Sequence, residues 1–221
     1  MSSCYCDDYG ATADEQFTSQ RAASDLVDYQ TKGPDATTRL LRDSLAASGA
    51  TSGSLLDIGA GIGVLTFELL ARGVAQATGI DASAAFVEAA SREARRRGCV
   101  ESAHFIHDDF LHIANQTPPA TIVTLDRVIC CYPRYETLLM EALRHATRYL
   151  ALSYPRDLFY VRAGNALSNA RRHFGGRQFR TYVHPAADME TMIISAGFTR
   201  AARRRTIAWC VDVYERRSAT L

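Results

Sequence analysis

Asp57 and the glycines at 59, 61 and 63 are where residue type and spacing speak most directly of chemistry. The apolar run Leu55-Leu56-Asp57-Ile58 leads into Gly59-Ala60-Gly61-Ile62-Gly63, and Val64-Leu65-Thr66-Phe67-Glu68-Leu69-Leu70 follows at helical spacing. This pattern predicts a strand, a tight turn and a helix. Glycines in such a turn let the backbone come close to a ligand at a helix N-terminus, beyond the carboxyl end of a parallel strand. The dinucleotide fingerprint Gly-x-Gly-x-x-Gly is not met, because position 64 is Val. A carboxylate at position 57 repels a pyrophosphate, whereas it suits a cationic ligand or a hydroxyl or amine donor. The bland alternative is a turn that only packs a helix on a sheet.

Two further acids follow in order. Ala75-Gln76-Ala77-Thr78-Gly79-Ile80-Asp81 reads as a short strand ending in a carboxylate that can accept from both hydroxyls of a ribose. Ala103-His104-Phe105-Ile106-His107-Asp108-Asp109-Phe110 reads as a third strand followed by paired acids and an aromatic. In this order the three segments resemble the motifs of class I S-adenosylmethionine (AdoMet)-dependent methyltransferases, over about residues 34–215. The resemblance implies AdoMet as cofactor, S-adenosylhomocysteine as product, and no metal. It implies that Asp57, Gly59, Ala60, Gly61 and Gly63 form the cofactor loop and that Asp81 and Ala82 meet the nucleoside. Asp109 would accept from the adenine amino group beside Phe110, with Asp108 in competition, and Asp126 closes the cofactor set.

The fourth strand leads into Asp126-Arg127-Val128-Ile129-Cys130-Cys131-Tyr132-Pro133. Ligands of open α/β sheets bind beyond the carboxyl ends of the strands, so this segment is expected to face the methyl group and its acceptor. Tyr132 can bring a ring edge or a hydroxyl to the acceptor, or pack near the sulfonium. Asp126, Tyr132 and His184 are the candidate catalytic residues. A base matters only if the acceptor is a poor nucleophile, and the candidates are Asp126, His173 and His184. His173 also reads as a helix-capping residue, and Cys130 and Cys131 as small apolar residues. Phe17, Tyr29, Arg127, Cys131 and Tyr132 are the candidate acceptor-binding residues. The stretch from Leu125 to Pro133 also resembles the same region of magnesium-protoporphyrin O-methyltransferases. Those enzymes carry a His where this chain has Cys131, and a Tyr in the N-terminal helix that Tyr29 matches. This implies kinship among small-molecule methyltransferases.

The elements that must position these groups follow from periodicity. Residues 14–31 are predicted as one helix, and Gly33-Pro34 breaks it. A second helix is expected at 34–48, with Pro34 at its first position. Strands at 53–57, 76–80, 103–106, 121–125 and 148–153 alternate with helices at 62–72, 83–97, 135–147 and 157–173. Residues 107–120 read as a linker and 179–184 as extended. A helix at 186–196 precedes two strands, 198–206 and 207–214, which are expected to pair antiparallel. The fold class is α/β: a Rossmann-like, doubly wound, seven-stranded sheet with a C-terminal antiparallel strand pair. Residues 1–33 form an N-terminal helical extension, read as a lid through Phe17, Tyr29 and Lys32, and 34–221 the methyltransferase domain. The helix at 157–173 is a further candidate wall through Phe159, Tyr160 and Arg162.

The 221 residues and 47% hydrophobic content allow one full core. A formal net charge of +1 argues against nucleic acid or an acidic membrane as a bulk electrostatic partner. No apolar run is long enough to span a bilayer. The polar, acidic start from Met1 to Gly10 does not resemble a signal peptide, so a cytoplasmic location is expected. Six cysteines in a chain this long do not make a disulfide scaffold, and Cys4 and Cys6 lack a second ligand pair for a metal. The reading is a methyltransferase acting on a small molecule at oxygen or nitrogen, with a homodimer left open. An RNA- or protein-directed methyltransferase and a non-catalytic AdoMet-binding protein are the alternatives. The first lacks an appended basic module and an Asn-Pro-Pro-Tyr-type motif after the fourth strand.

Overall fold

The computed structural model describes residues 9–216, so Cys4 and Cys6 lie outside the described residues. Three helices, Tyr9–Gln16 (α1), Ser19–Lys32 (α2) and Ala36–Ala47 (α3), precede the first strand. Ser54–Ile58 (β1), Val64–Leu70 (α4), Gln76–Asp81 (β2), Ala84–Arg97 (α5) and Ala103–His107 (β3) follow. Next come Phe110–Ile113 (α6), Ala120–Asp126 (β4), Tyr135–His145 (α7), Ala146–Pro155 (β5) and Phe159–Phe174 (α8). Ala186–Ser195 (α9), Phe198–Arg205 (β6) and Trp209–Arg216 (β7) complete the order.

The strands form one seven-stranded sheet in the order β3-β2-β1-β4-β5-β7-β6. β1 to β5 run parallel, while β7 is antiparallel to both β5 and β6. This is the Rossmann-like sheet with a terminal antiparallel pair that the sequence pattern implied. Successive strand side chains alternate between faces. Leu56, Ile58, Val123 and Leu125 therefore pack with Leu138 and Leu139 of α7 on one face. Leu55 and Ile122 pack with Leu41 and Leu45 of α3 and Leu65 and Leu69 of α4 on the other.

The element boundaries correct the sequence reading in three places. The helix expected at 14–31 is two helices, because the Thr18 side chain caps α2 by accepting from the Arg21 N–H (3.4 Å). α3 begins at Ala36, not Pro34, because the Asp35 carboxylate accepts from the Thr37 and Thr38 N–H groups (2.8 and 3.1 Å), which is a stronger start signal. The expected linker contains α6 and a 3-10 turn, Ala114–Gln116. Residues 179–184 are extended but pair with no strand of the sheet.

The terminal pair is fastened by a buried carboxylate. Asp212 on β7 has no exposed surface. It accepts from Arg203 Nε (2.7 Å) and Nη2 (2.8 Å) on β6, and from the Tyr154 hydroxyl (2.6 Å) on β5. Removing one partner of such a pair leaves a buried charge unmatched. Arg203→Met is accordingly expected to lower unfolding free energy by about 3 kcal/mol in urea titration.

Candidate functional site

A cavity of about 520 Å³ opens where β1 and β4 lie side by side. This is the point at which strand order reverses and the flanking connections leave in opposite directions, the usual ligand crevice of such sheets. Its floor is the turn from Asp57 to Ile62, and Ile80 to Ala82 form one flank. Asp108, Phe110 and the segment after β4 line it further, and α1, α2 and the start of α3 cover it.

The turn is shaped by backbone that only glycine adopts cheaply. Gly59 has φ 67°, and a Cβ there would fall 2.3 Å from Val128. Gly61 has φ 58°, and the space where its Cβ would stand is open. Its N–H donates to Asp81 Oδ2 (2.8 Å), while Asp81 Oδ1 accepts from the Ser83 N–H (2.8 Å). Burial raises the pKa of Asp81, and these two N–H groups oppose the rise. Ala60, Gly61 and Ala82 line the cavity with it. Gly63 starts α4 in the left-handed region (φ 83°).

The other acids are less available than the sequence reading supposed. Asp57 is buried, and its oxygens accept from the hydroxyls of Thr124 (2.6 Å) and Thr66 (2.9 Å). Its side chain thus braces β1 against β4 and α4. Burial pushes its pKa up to about 7, against the pull of those two hydroxyls. Asp109 is also buried, caps α6 through the Leu111 N–H (3.0 Å) and accepts from the Tyr132 hydroxyl (2.7 Å). Its neighbours Asp108 and Phe110 are the ones that line the cavity. Asp126 accepts from the hydroxyls of Thr38 (2.6 Å) and Ser153, with Arg127 Nε at 3.6 Å. Both its oxygens are engaged, so it is placed to organise the segment after β4 rather than to take a proton from an acceptor.

Arg127 is the one non-glycine among the described residues with positive φ (61°), a strained conformation of the kind that gathers at functional sites. Its N–H donates to the Ser153 hydroxyl (2.8 Å), and its guanidinium reaches Asp35 (2.7 Å) and Thr38 (3.3 Å). Tyr132 lines the cavity with its ring, 4.2 Å from the ring of Tyr9, while its hydroxyl is spent on Asp109. Burial raises the pKa of Tyr132 well above that of a free phenol. Cys131 lines the cavity half-buried, its thiol donating to the Arg127 carbonyl (3.6 Å).

His184, expected at the mouth as a base, is buried behind the wall. Its Nε2 meets the Tyr132 carbonyl (2.9 Å) and its ring packs on Tyr135 and Tyr182 (4.3 and 5.6 Å). Burial lowers its pKa, and it supports the Ile129–Tyr132 turn from outside the cavity lining. His173 sits exposed at the end of α8 beside Arg180. Phe159 is 84% exposed, and the wall that α8 supplies is Arg172 instead of Phe159, Tyr160 or Arg162.

Residues of the extension line the cavity. Phe17 lies between Phe86 and Phe179, each ring 5.3 Å away. Its carbonyl accepts from the Ser83 hydroxyl (2.8 Å), and Asp14 accepts from the Ala84 N–H (3.0 Å). Tyr29 lines the edge, with its hydroxyl donating to Glu68 (2.9 Å) and Arg97 over its ring. Lys32 is largely exposed and pairs with Asp28. Tyr9, Ala13 and Gln16 on α1 went unrecognised in the sequence, although their i, i+4, i+7 spacing was the signal. The Gln16 Oε1 is buried without a hydrogen-bond partner among the described residues. Arg172, Phe179 and Thr181 were also missed, because nothing local marks a segment that returns to the cavity from well beyond β4. Among the described residues no group of His, Cys, Asp and Glu could hold a metal ion, and no helix is long and apolar enough to cross a membrane.

Residues 55–151 match the family model of the methyltransferase domain. No curated protein is significantly similar in sequence to the chain. Among solved structures, the chain is similar to magnesium protoporphyrin IX methyltransferase from Synechocystis PCC 6803 with bound SAM. The identity is 17%, over 98% of this chain and 100% of that one, with a TM-score of 0.68. The same enzyme with bound SAH matches at 22% identity over 82% of each chain, with a TM-score of 0.65. An O-methyltransferase family protein from Burkholderia thailandensis matches at 14% identity, over 95% of this chain and 64% of that one, with a TM-score of 0.68. The resemblance drawn from motif order is borne out by the family match and by the fold.

The burial of Asp57 has a consequence for pH dependence. A carboxyl raised on folding from 3.8 to about 7 contributes stability that is full below about pH 4 and lost as pH rises through 7. In urea titrations across pH, the stability of the protein relative to Asp57→Asn is expected to fall by about 2–4 kcal/mol between about pH 4 and 7, then level off.

Proposed function

We propose that this chain is an AdoMet-dependent methyltransferase acting on a small-molecule acceptor, at the oxygen of a carboxylate or hydroxyl or at nitrogen, in the cytoplasm. One observation carries the reading. The glycine turn after β1 is tied through the Gly61 N–H to Asp81 at the end of β2, so a close-approach floor and a buried carboxylate face one cavity at the sheet's reversal point.

The residues present fit AdoMet. Each Asp81 oxygen accepts one N–H in the structure and keeps a lone pair for a ribose hydroxyl. The open Cβ position of Gly61 leaves room beside the turn, and the orphan Gln16 Oε1 offers a buried acceptor for a ligand donor. The Asp108–Phe110 turn forms the adenine end of the reading. When bound, AdoMet supplies an already activated methyl group and leaves as the neutral thioether S-adenosylhomocysteine. The protein's part is then alignment and exclusion of water. Asp126, Arg127 and Tyr132 are fixed by Thr38, Ser153, Asp35 and Asp109, which suits holding an acceptor in line more than shuttling its proton.

Calorimetry with AdoMet and with NAD tests the reading: binding of AdoMet alone is expected, and micromolar NAD binding without AdoMet heat would overturn it. In the same assay Asp81→Ala should weaken AdoMet by roughly 2–3 kcal/mol, and Asp81→Asn, which keeps one acceptor oxygen, by less. The lid reading of α1 rests on Asp14, which accepts from the Ala84 N–H, and on Tyr9, Ala13 and Gln16, which line the cavity. Deleting residues 1–16 should leave a folded protein from which S-adenosylhomocysteine escapes at least about tenfold faster in stopped-flow displacement.

A further inference from the structure

Arg172, in the last turn of α8, lines the cavity from the wall built with the 175–185 connection. Its Nη1 donates to Asn169 Oδ1 (3.1 Å) and Thr181 Oγ1 (3.3 Å), and its guanidinium lies over the ring of Phe179 (5.7 Å). Those supports are locked in turn. Asn165 and Asn169 both donate to the Thr181 carbonyl (2.8 and 2.7 Å), and the Thr181 N–H donates back to Asn169 (3.0 Å).

The guanidinium is therefore held by neutral acceptors through one nitrogen. Its Nε–H and Nη2–H edge meets no acceptor among the described residues, and no carboxylate pairs with it. That edge matches the two oxygens of a carboxylate. The other cavity arginines differ: Arg127 is paired with Asp35 and Asp126, and Arg21 with Asp25. Burial lowers the pKa of Arg172, the nearby Cys131 opposes that, and Arg21, Arg180 and Arg177 lower it further. Gln16, nine-tenths buried with an unpartnered carbonyl oxygen, is a second polar group in the same cavity left without a partner. Beside them, Phe17 and Phe179 meet edge to face and present apolar surface.

We propose that Arg172 determines acceptor specificity, its Nε/Nη2 edge binding a carboxylate on an apolar, ring-containing small molecule seated against Phe17 and Phe179. This rests on the methyltransferase reading of the cavity. A carboxylate whose charge is drawn onto the guanidinium is a weakened nucleophile, so the atom that takes the methyl group is another group of the same molecule.

The test uses the full chain saturated with S-adenosylhomocysteine, and ligand-observed NMR with 2-naphthoate, 2-naphthamide and 2-naphthyl phosphate as probes. Naphthoate is expected to bind at least about tenfold more tightly than the isosteric amide. Arg172→Gln should abolish that preference and Arg172→Lys should keep only part of it, with S-adenosylhomocysteine affinity by calorimetry unchanged in both. Several results would overturn the assignment: equal binding of acid and amide, no naphthoate binding at millimolar concentration, stronger binding of the phosphate, or an intact preference in Arg172→Gln. Lost S-adenosylhomocysteine affinity in Arg172→Gln would assign the residue to the cofactor's own carboxylate and would also overturn it. Failure of the parent protein to bind S-adenosylhomocysteine would instead strike the methyltransferase reading, and naphthoate titration without it would still report on Arg172.

Discussion

The Asp81 carboxylate is the joint on which the rest of the site depends. It accepts from Gly61 in the turn after β1 and from Ser83 in the turn after β2. Ser83 in turn caps α5 and donates its hydroxyl to Phe17 at the end of α1. One side chain therefore couples the cavity floor, its flank and its cover. A buried carboxylate is costly unless its oxygens are satisfied, and backbone N–H groups satisfy these without adding a second charge. Burial still raises the Asp81 pKa, and the two N–H groups oppose that rise without bringing in an ion-pair partner, an arrangement that suits a ligand offering hydroxyl donors.

The same device recurs along the carboxyl edge of the sheet. Asp57 is met by Thr66 and Thr124, Asp126 by Thr38 and Ser153, and Asp109 by Tyr132 and the Leu111 N–H. Each acid ties a strand end to a different neighbour: β1 to α4 and β4, β4 to α3 and β5, and the turn after β3 to the segment after β4. Neutral donors fix these carboxyl groups in place without an ion pair, except where Arg127 approaches Asp126. The strain at Arg127 follows from this arrangement. Its backbone turns into the left-handed region so that its N–H reaches Ser153 while its side chain swings back to Asp35.

The sheet was legible in the sequence because its parallel strands are short apolar runs and every crossing helix carries periodic apolar positions. The positions of Asp57, Asp81 and Asp109 at strand ends were legible for the same reason. What they do there was not. Whether a carboxylate faces a ligand or a buried threonine depends on partners such as Thr124 and Tyr132, which lie 67 and 23 residues away. His184 shows the limit most clearly: its place before Pro185 suggested a loop at the mouth, yet its ring packs between Tyr135 and Tyr182, contacts that no local pattern encodes. The split of the extension at Thr18 was locally encoded, since a Thr ahead of Ser-Gln-Arg is a helix start, but a continuous helical pattern across it outweighed the cap.

The distribution of charge around the cavity ties its two halves together. Asp57, Asp81 and Asp126 stand along the strand ends, whereas the unmatched guanidinium of Arg172 stands on the wall returned by α8. A cationic ligand and an anionic one would therefore be drawn to different parts of the same enclosure. Phe17, Phe86 and Phe179 give the enclosure a packed apolar wall. Exclusion of water strengthens both attractions, because the screening that solvent would provide is removed. For a transfer in which a sulfonium loses its charge, acids too close to the sulfur would hold the ground state back. Under the proposed reading, the hydroxyl clamps on Asp57 and Asp126 would set those side chains at fixed positions instead of leaving them free to collapse onto the cation.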